Sequence, residues 1–90
     1  MVIRTTRSRE EIIYNILQNF YKYKRLKKQD ILLKNNLSTK QLNNYLEFLE
    51  NNDLIIKDLR GRIFYYSLND KGLKLYHVLS GLIKEYGLFN

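Results

Sequence analysis

Residues that can do acid, base or metal chemistry are few in this 90-residue sequence. His77 is the single histidine, and cysteine is absent. One histidine makes neither a catalytic triad nor a zinc site, so we predict that His77 is solvated. The carboxylates stand singly apart from Glu10 and Glu11, which fit the start of a helix, and there is no glycine-rich phosphate loop. The sequence therefore predicts no enzymatic activity, no metal and no cofactor.

The charge balance points to the class of partner. Sixteen Lys and Arg residues against nine Asp and Glu residues give a net charge of +7. This excess favours a polyanion, with nucleic acid ahead of a membrane surface, although a merely solvated basic surface is the alternative. Neither a signal peptide nor a membrane span of about 18 apolar residues is predicted. The expected location is the cytoplasm, in association with the nucleoid, or the host cytoplasm if the protein is viral.

Two helices are predicted in the first third of the chain, after a short basic arm over 1–7 that carries Arg4 and Arg7. Ser8 opens a capping box, and apolar residues at helical spacing predict a helix over about 9–21. A basic connector over 23–26 can contribute a very short strand. A second, short helix fits about 27–35, and the two asparagines that end it are a turn signal.

A third helix is predicted to begin after Ser38, which forms a second capping box with Gln41. Its apolar residues recur at positions i, i+3, i+4 and i+7, as expected for a helix that turns one side to a core. They are Leu42, Tyr45, Leu46 and Leu49. The opposite side is polar, and the helix is expected to end in the asparagines and aspartate that follow.

The second half of the chain predicts a hairpin and one more helix. Runs of strand-forming residues over 54–59 and 63–68 flank a turn that contains Gly61, which is the pattern of a β-hairpin. A last helix is predicted over about 70–86. The chain is therefore expected to be mainly α-helical with a small β-hairpin. The order helix, helix, helix, hairpin, helix is that of a winged helix-turn-helix domain.

The third helix carries the main candidates for nucleic-acid contact. In a helix-turn-helix, the second helix of the motif enters the major groove, and residues near its N-terminus reach base edges. Here these residues are Thr39, Lys40, Asn43 and Asn44. Asparagine can bond bidentately to adenine, threonine can contact the thymine methyl group, and Lys40 can contact phosphate or guanine. An ordinary polar helix face is the alternative, but two adjacent asparagines are weak helix formers, which favours DNA contact.

Two further basic pairs are candidate DNA contacts. Arg60 and Arg62 flank the hairpin turn, where they can straddle a minor groove or clamp phosphates, unless they only keep the hairpin soluble. Lys27 and Lys28 open the second helix, where positive charge opposes the helix dipole. Phosphate contact would offset that cost, and a weakly destabilised, solvated helix end is the alternative.

The last helix is more apolar than a helix that packs only on its own domain needs to be. Leu73, Tyr76 and Ile83 can face the domain. A second seam at spacings of 4, 3 and 4 then remains, which is the coiled-coil type. It consists of Leu75, Leu79, Leu82 and Tyr86. We therefore predict a winged-helix domain over 1–69 and a dimerisation helix over 70–90 that packs on the same domain; a helix wrapped inside one core is the alternative.

The sequence resembles small archaeal winged-helix DNA-binding proteins over about 8–80. The diagnostic stretch is Leu-Ser-x-x-Gln-Leu-x-x-Tyr-Leu-x-Phe-Leu over 37–49. Two departures stand out: Asp53 replaces a glycine before the first wing strand, so that Asn52 or Asp53 must take a left-handed turn, and Asn69 replaces a threonine cap. The resemblance implies double-stranded DNA binding, as a regulator or an architectural protein, and a C-terminal helix that dimerises as an antiparallel coiled coil.

The predicted function is therefore that of a homodimeric, sequence-specific or architectural DNA-binding protein, with transcriptional regulation as the expected role. One alternative is a winged-helix adaptor that binds proteins and makes no direct DNA contact, since fold does not fix function. A third hypothesis is single-strand binding through exposed tyrosines, although these mostly fall at positions expected to pack in a core. No small-molecule ligand is evident from the sequence.

Overall fold

Four helices and a two-stranded antiparallel sheet follow one another in the predicted order. The computed structural model describes residues 7–88, so Arg4 of the predicted arm lies outside the described part of the chain. The elements are α1 (Arg9–Tyr23), α2 (Lys28–Asn35), α3 (Thr39–Asn51), β1 (Ile55–Arg60), β2 (Ile63–Leu68) and α4 (Asp70–Tyr86). The winged helix-turn-helix prediction is thereby confirmed, with each boundary within two residues of its expected place.

Polar caps begin the helices where the sequence places them. The Ser8 hydroxyl accepts a hydrogen bond from the Glu11 amide at 3.1 Å. At the start of α3 the capping box is reciprocal: the Gln41 amide donates to the Ser38 hydroxyl at 3.1 Å, and the Ser38 amide donates to the Gln41 side chain at 3.0 Å. These bonds satisfy amides that have no partner inside the helix, and they set the residue at which each helix begins.

Three described residues other than glycine take a positive φ, namely Lys24, Asn36 and Asp53, and the last two make turns between elements. Asn36 ends α2 with φ of 53°, and Asp53 precedes β1 with φ of 55°. Asparagine and aspartate tolerate this region better than other residues with side chains. Asp53 therefore makes the turn that the missing glycine would otherwise make, and the chain passes directly from α3 into the hairpin.

The core lies where α1, α2 and α3 meet the base of the hairpin. Its fully buried side chains come from all of these elements: Ile16, Leu17, Phe20, Ile31, Leu42, Leu49 and Tyr66. Burial raises the pKa of Tyr66 above its ordinary value, and the Glu50 carboxylate adds to the shift. Leu26 and Tyr66 exchange backbone hydrogen bonds of 3.0 and 2.8 Å, so the connector between α1 and α2 is joined to β2 by a single β-bridge and does not form the very short strand that the sequence suggested.

Helix α4 packs along α1 through aromatic rings. Tyr76 is buried, and its ring stacks on Tyr14 at 5.8 Å and on Tyr21 at 4.6 Å between centroids. His77 is exposed, as predicted, with its ring edge-on to Tyr21 at 5.3 Å. The three-ring stack fixes which side of α4 faces the domain.

Candidate nucleic-acid interface

The polar side of α3 is presented to solvent. The four residues of α3 that were predicted to contact DNA are all exposed, as such contacts need: Thr39, Lys40, Asn43 and Asn44. On the opposite side, Leu42, Leu46 and Leu49 are at most 2% exposed and anchor the helix in the core. The reciprocal cap at Ser38 adds to this anchoring. A rigidly held helix with an exposed polar side can enter a groove without rearranging.

The start of α2 lies beside the start of α3. Lys28 and Thr39 line the same shallow cleft of about 400 Å³. Lys28 is exposed, whereas Lys27 is half-buried, and the Lys27 amide donates to the Asp30 carboxylate at 3.2 Å. Asp30 supplies the negative charge that a helix N-terminus favours, so it partly offsets the two lysines. The structure therefore brings Lys28, rather than Lys27, to the surface beside the polar side of α3.

Arg9 is a basic residue at this surface that sequence analysis did not single out. It opens α1, is exposed, and holds its guanidinium over the Phe48 ring at 4.9 Å from the centroid. Together with Gln41, Asn44 and Tyr45 it lines a cleft of about 310 Å³ against α3. The available signal was the one that marked Lys27 and Lys28, namely a positive charge in the first turn of a helix.

The hairpin places its arginines at an exposed tip. Arg60 and Arg62 lie on either side of Gly61, whose φ of 63° makes the tight reversal possible. The Arg60 Nε lies 2.9 Å from a carboxylate oxygen of Asp58, and both side chains are about half exposed or more. An ion pair in this setting contributes little to stability, so Arg60 can exchange Asp58 for a phosphate at small cost.

The four seam residues of α4 fall into two pairs. Leu75 and Leu79 are half-buried and line an apolar cleft of about 460 Å³, whose other apolar walls are Ile13, Phe48 and Leu54. Leu82 and Tyr86 are 40% and 66% exposed. Val78, a further apolar residue of α4, is 59% exposed. The structure thus leaves an apolar surface that runs from the cleft to the end of α4.

Metal-binding clusters and membrane-length helices are both absent from the described residues. Between residues 7 and 88, no three His, Cys, Asp or Glu side chains are grouped so that they could hold a metal ion. In the same part of the chain, no helix is long and apolar enough to cross a membrane.

Comparison with known families and structures gives a consistent result. The sequence model of the winged helix-turn-helix family matches residues 6–86. No curated protein matches the sequence. MepR, a transcription regulator of the Staphylococcus aureus multidrug efflux pump MepA, is similar in structure with a TM-score of 0.78 at 22% identity, over 82% of this chain and 57% of that one. This chain therefore spans just over half the length of MepR.

Two further solved structures share the fold. Sso10a-2, a DNA-binding protein from Sulfolobus solfataricus, has a TM-score of 0.76 at 19% identity, over 87% of this chain and 80% of that one. A mutant of Staphylococcus aureus MepR bound to an oligodeoxyribonucleotide has a TM-score of 0.76 at 22% identity, over 82% and 57%. At these identities the similarity establishes the arrangement of helices and hairpin.

Proposed function

The chain belongs to the winged helix-turn-helix family, and we propose that it binds double-stranded DNA as a homodimer without enzymatic activity. Its role would be that of a transcriptional regulator or an architectural protein. The observation that carries the proposal is the exposed polar side of α3, held on a helix whose other side is locked into the core. Solved relatives that are named as DNA-binding or regulatory proteins support it.

In the proposed complex, α3 lies in the major groove with its first two turns against the bases. Asn43 and Asn44 read base edges, since an amide side chain can donate to and accept from adenine at the same time. Lys40, Lys28 and Arg9 lie around this surface and contact phosphates, which position the protein without reading sequence. Glu47 is exposed further along α3, where it repels phosphate and limits contact beyond the first two turns.

The hairpin provides a second contact region. Arg60 and Arg62 at its tip reach the neighbouring minor groove or its phosphates. Arginine suits this position because a narrow minor groove carries a strong negative potential. The turn at Asp53 joins α3 to β1, so the two contact regions, α3 and the hairpin tip, belong to one domain.

Dimerisation is assigned to α4. If two copies of this helix pair in antiparallel order about the middle of the seam, Leu79 meets Leu82 of the partner subunit and Leu75 meets Tyr86 of the partner subunit. That pairing covers the exposed end of α4 and brings an aromatic ring to the apolar cleft beside Leu75. It therefore supplies apolar contacts to both halves of a surface that one subunit leaves open.

Under the adaptor alternative the fold is the same, but a different protein, rather than a second copy of this chain, covers α4. A heterologous partner would leave the isolated protein monomeric, whereas the proposal requires twice the mass of 10.9 kDa. The single-strand alternative has less support, because two of the exposed tyrosine rings already contact other side chains. Tyr21 stacks on Tyr76, and the Lys34 ammonium lies 4.0 Å from the Tyr23 ring centroid.

The test is a fluorescence-anisotropy titration against a mixed-sequence duplex at several salt concentrations. We expect micromolar or tighter binding that weakens steeply with salt, because each phosphate contact releases counterions and contributes roughly 0.9 to the log–log slope. A single-stranded competitor of the same length is the control and should compete poorly. Absence of duplex binding at low salt would refute the proposed function and favour the adaptor.

A further inference from the structure

The tip of the hairpin is apolar as well as basic. Three large apolar side chains lie within two residues of the turn and are exposed to solvent. They are Leu59, Ile63 and Phe64, at 56%, 45% and 45% exposure. At the other end of the same strands, Ile55 is buried and Tyr66 is 1% exposed. Large apolar side chains that are exposed together and rimmed by charge are typical of an interaction site.

The register of the hairpin makes a narrow wedge of two of these residues. Leu59 is paired with Phe64, and Ile55 is paired with Leu68. Since side chains alternate along a strand, both pairs lie on the same face of the hairpin. The Ile55 end of that face packs on the core, while the Leu59–Phe64 pair lies about 13 Å further along the strands, at roughly 3.3 Å per residue.

Basic side chains lie on the face of the wedge and at the adjoining turn. The Lys57 ammonium lies 4.3 Å from the centroid of the Phe64 ring. Arg60 and Arg62 are exposed on either side of Gly61. A complementary partner must therefore be polyanionic on its outside and able to accept apolar groups within. A base step of duplex DNA, opened from the minor groove between two phosphate backbones, has both properties.

We propose that Leu59 and Phe64 insert between base pairs from the minor groove and kink the DNA, with Arg60 and Arg62 on the flanking phosphates. Apolar wedges of this kind bend duplexes by roughly 20–90°. The inference rests on the proposed DNA binding and adds an activity to it: the bound duplex is bent by the hairpin while α3 occupies the adjacent major groove. The position of the kink follows the flexible pyrimidine–purine steps.

The experiment measures bending and unstacking separately from binding. A duplex with several TA steps carries donor and acceptor dyes at its two ends, and a second duplex carries 2-aminopurine at a central step. At saturating protein and low salt, we expect energy transfer and 2-aminopurine fluorescence to rise. A stiff A-tract duplex should show smaller changes. The Leu59→Ala/Phe64→Ala variant should lose both signals while anisotropy still reports binding, because the basic residues remain.

Ile56→Ala is the matched control. Ile56 is 49% exposed on the same hairpin, but it lies near the base and on the opposite face, so this variant should bend DNA as the wild type does. The inference is overturned if wild-type protein binds the TA duplex and leaves it straight and stacked, or if the double variant bends it equally. Absence of binding by the wild type overturns the proposed function itself, and the anisotropy measurement distinguishes that case.

Discussion

At the scale of single residues, asparagine performs several different tasks in this chain. Asn35 is 2% exposed, and its amide donates to the Asn19 side chain at 2.7 Å, which ties α2 to α1. Asn36 ends α2 in the left-handed region. Asn43 and Asn44 are exposed on α3 and have their amides available to a ligand. The environment of each side chain, rather than its type, decides whether it serves folding or recognition.

The proposed interface predicts two different roles for exposed residues of α3, namely base recognition and phosphate contact. Replacing Asn43 or Asn44 by Ala should change base preference, with about 1–3 kcal/mol lost at the base that each contacts. Replacing Lys40 by Ala should weaken binding to all sequences alike. It should also lower the log–log salt slope by about 1, which corresponds to the loss of one phosphate contact. Selection from a randomised duplex pool, followed by titration of the selected sites, measures both effects.

Asn51→Ala is the control for the asparagine variants, since Asn51 is exposed at the far end of α3. Its selected sequences should match those of the wild type. Unchanged sequence preference in the Asn43 and Asn44 variants would show that another surface reads the bases.

At the scale of elements, the close approach of α4 to the start of the hairpin depends on a glycine. A Cβ atom at Gly72 would overlap the backbone carbonyl of Leu54 and lie 3.1 Å from a methyl group of Leu68. The Gly72 amide also donates to the Asn69 side chain, which caps α4, at 2.7 Å. Because the obstacle is backbone, it cannot move aside as the end of a flexible side chain would.

Gly72→Ala should therefore destabilise the protein by about 1–3 kcal/mol, as expected for an overpacked site. Gly81→Ala is the matched variant: nothing lies near an added Cβ there, and the better helix propensity of alanine should add about 0.5–1 kcal/mol of stability. Urea unfolding at one fixed protein concentration measures both free energies. Equal effects at the two glycines would contradict the packing of α4 described above.

At the scale of the whole molecule, the chain is elongated, with extents of 47 × 27 × 22 Å. Among residues 7–88, nothing covers the apolar second half of α4, where Leu82 is 40% and Tyr86 66% exposed. A small domain without disulfides gains stability from association, so the proposed dimer serves both folding and DNA binding.

Leu82→Glu and Tyr86→Glu should convert the protein from dimer to monomer, because each places a charge in the proposed apolar seam. Lys84→Glu is the control, since Lys84 is exposed between these two residues in sequence but lies on the polar side of α4. Sedimentation equilibrium measures the mass. DNA binding by the monomeric variants should weaken, because two linked subunits bind DNA more tightly than one subunit does. A monomeric wild type would contradict the proposal and favour a heterologous partner.

Four features could be predicted from the sequence: the order of the elements, the caps at Ser8 and Ser38, the left-handed turn at Asn52 or Asp53, and the exposed polar side of α3. These features depend on local chemistry: a side chain that bonds to an amide three residues away, a tolerated backbone angle, or a repeat of apolar residues along one helix. Such rules act within a few residues and can be applied before the fold is known.

Which surfaces remain exposed depends on how the elements pack against one another, and this could not be predicted from the sequence. Packing buries Tyr66 but leaves the apolar residues at the hairpin tip exposed. On α4, Leu75 and Leu79 are half-buried whereas Leu82 is exposed, and Arg9 lies beside α3. Each outcome depends on contacts between residues far apart in the chain. Periodicity shows that a residue belongs on an apolar side, but the length and angle of the facing element determine whether anything covers it.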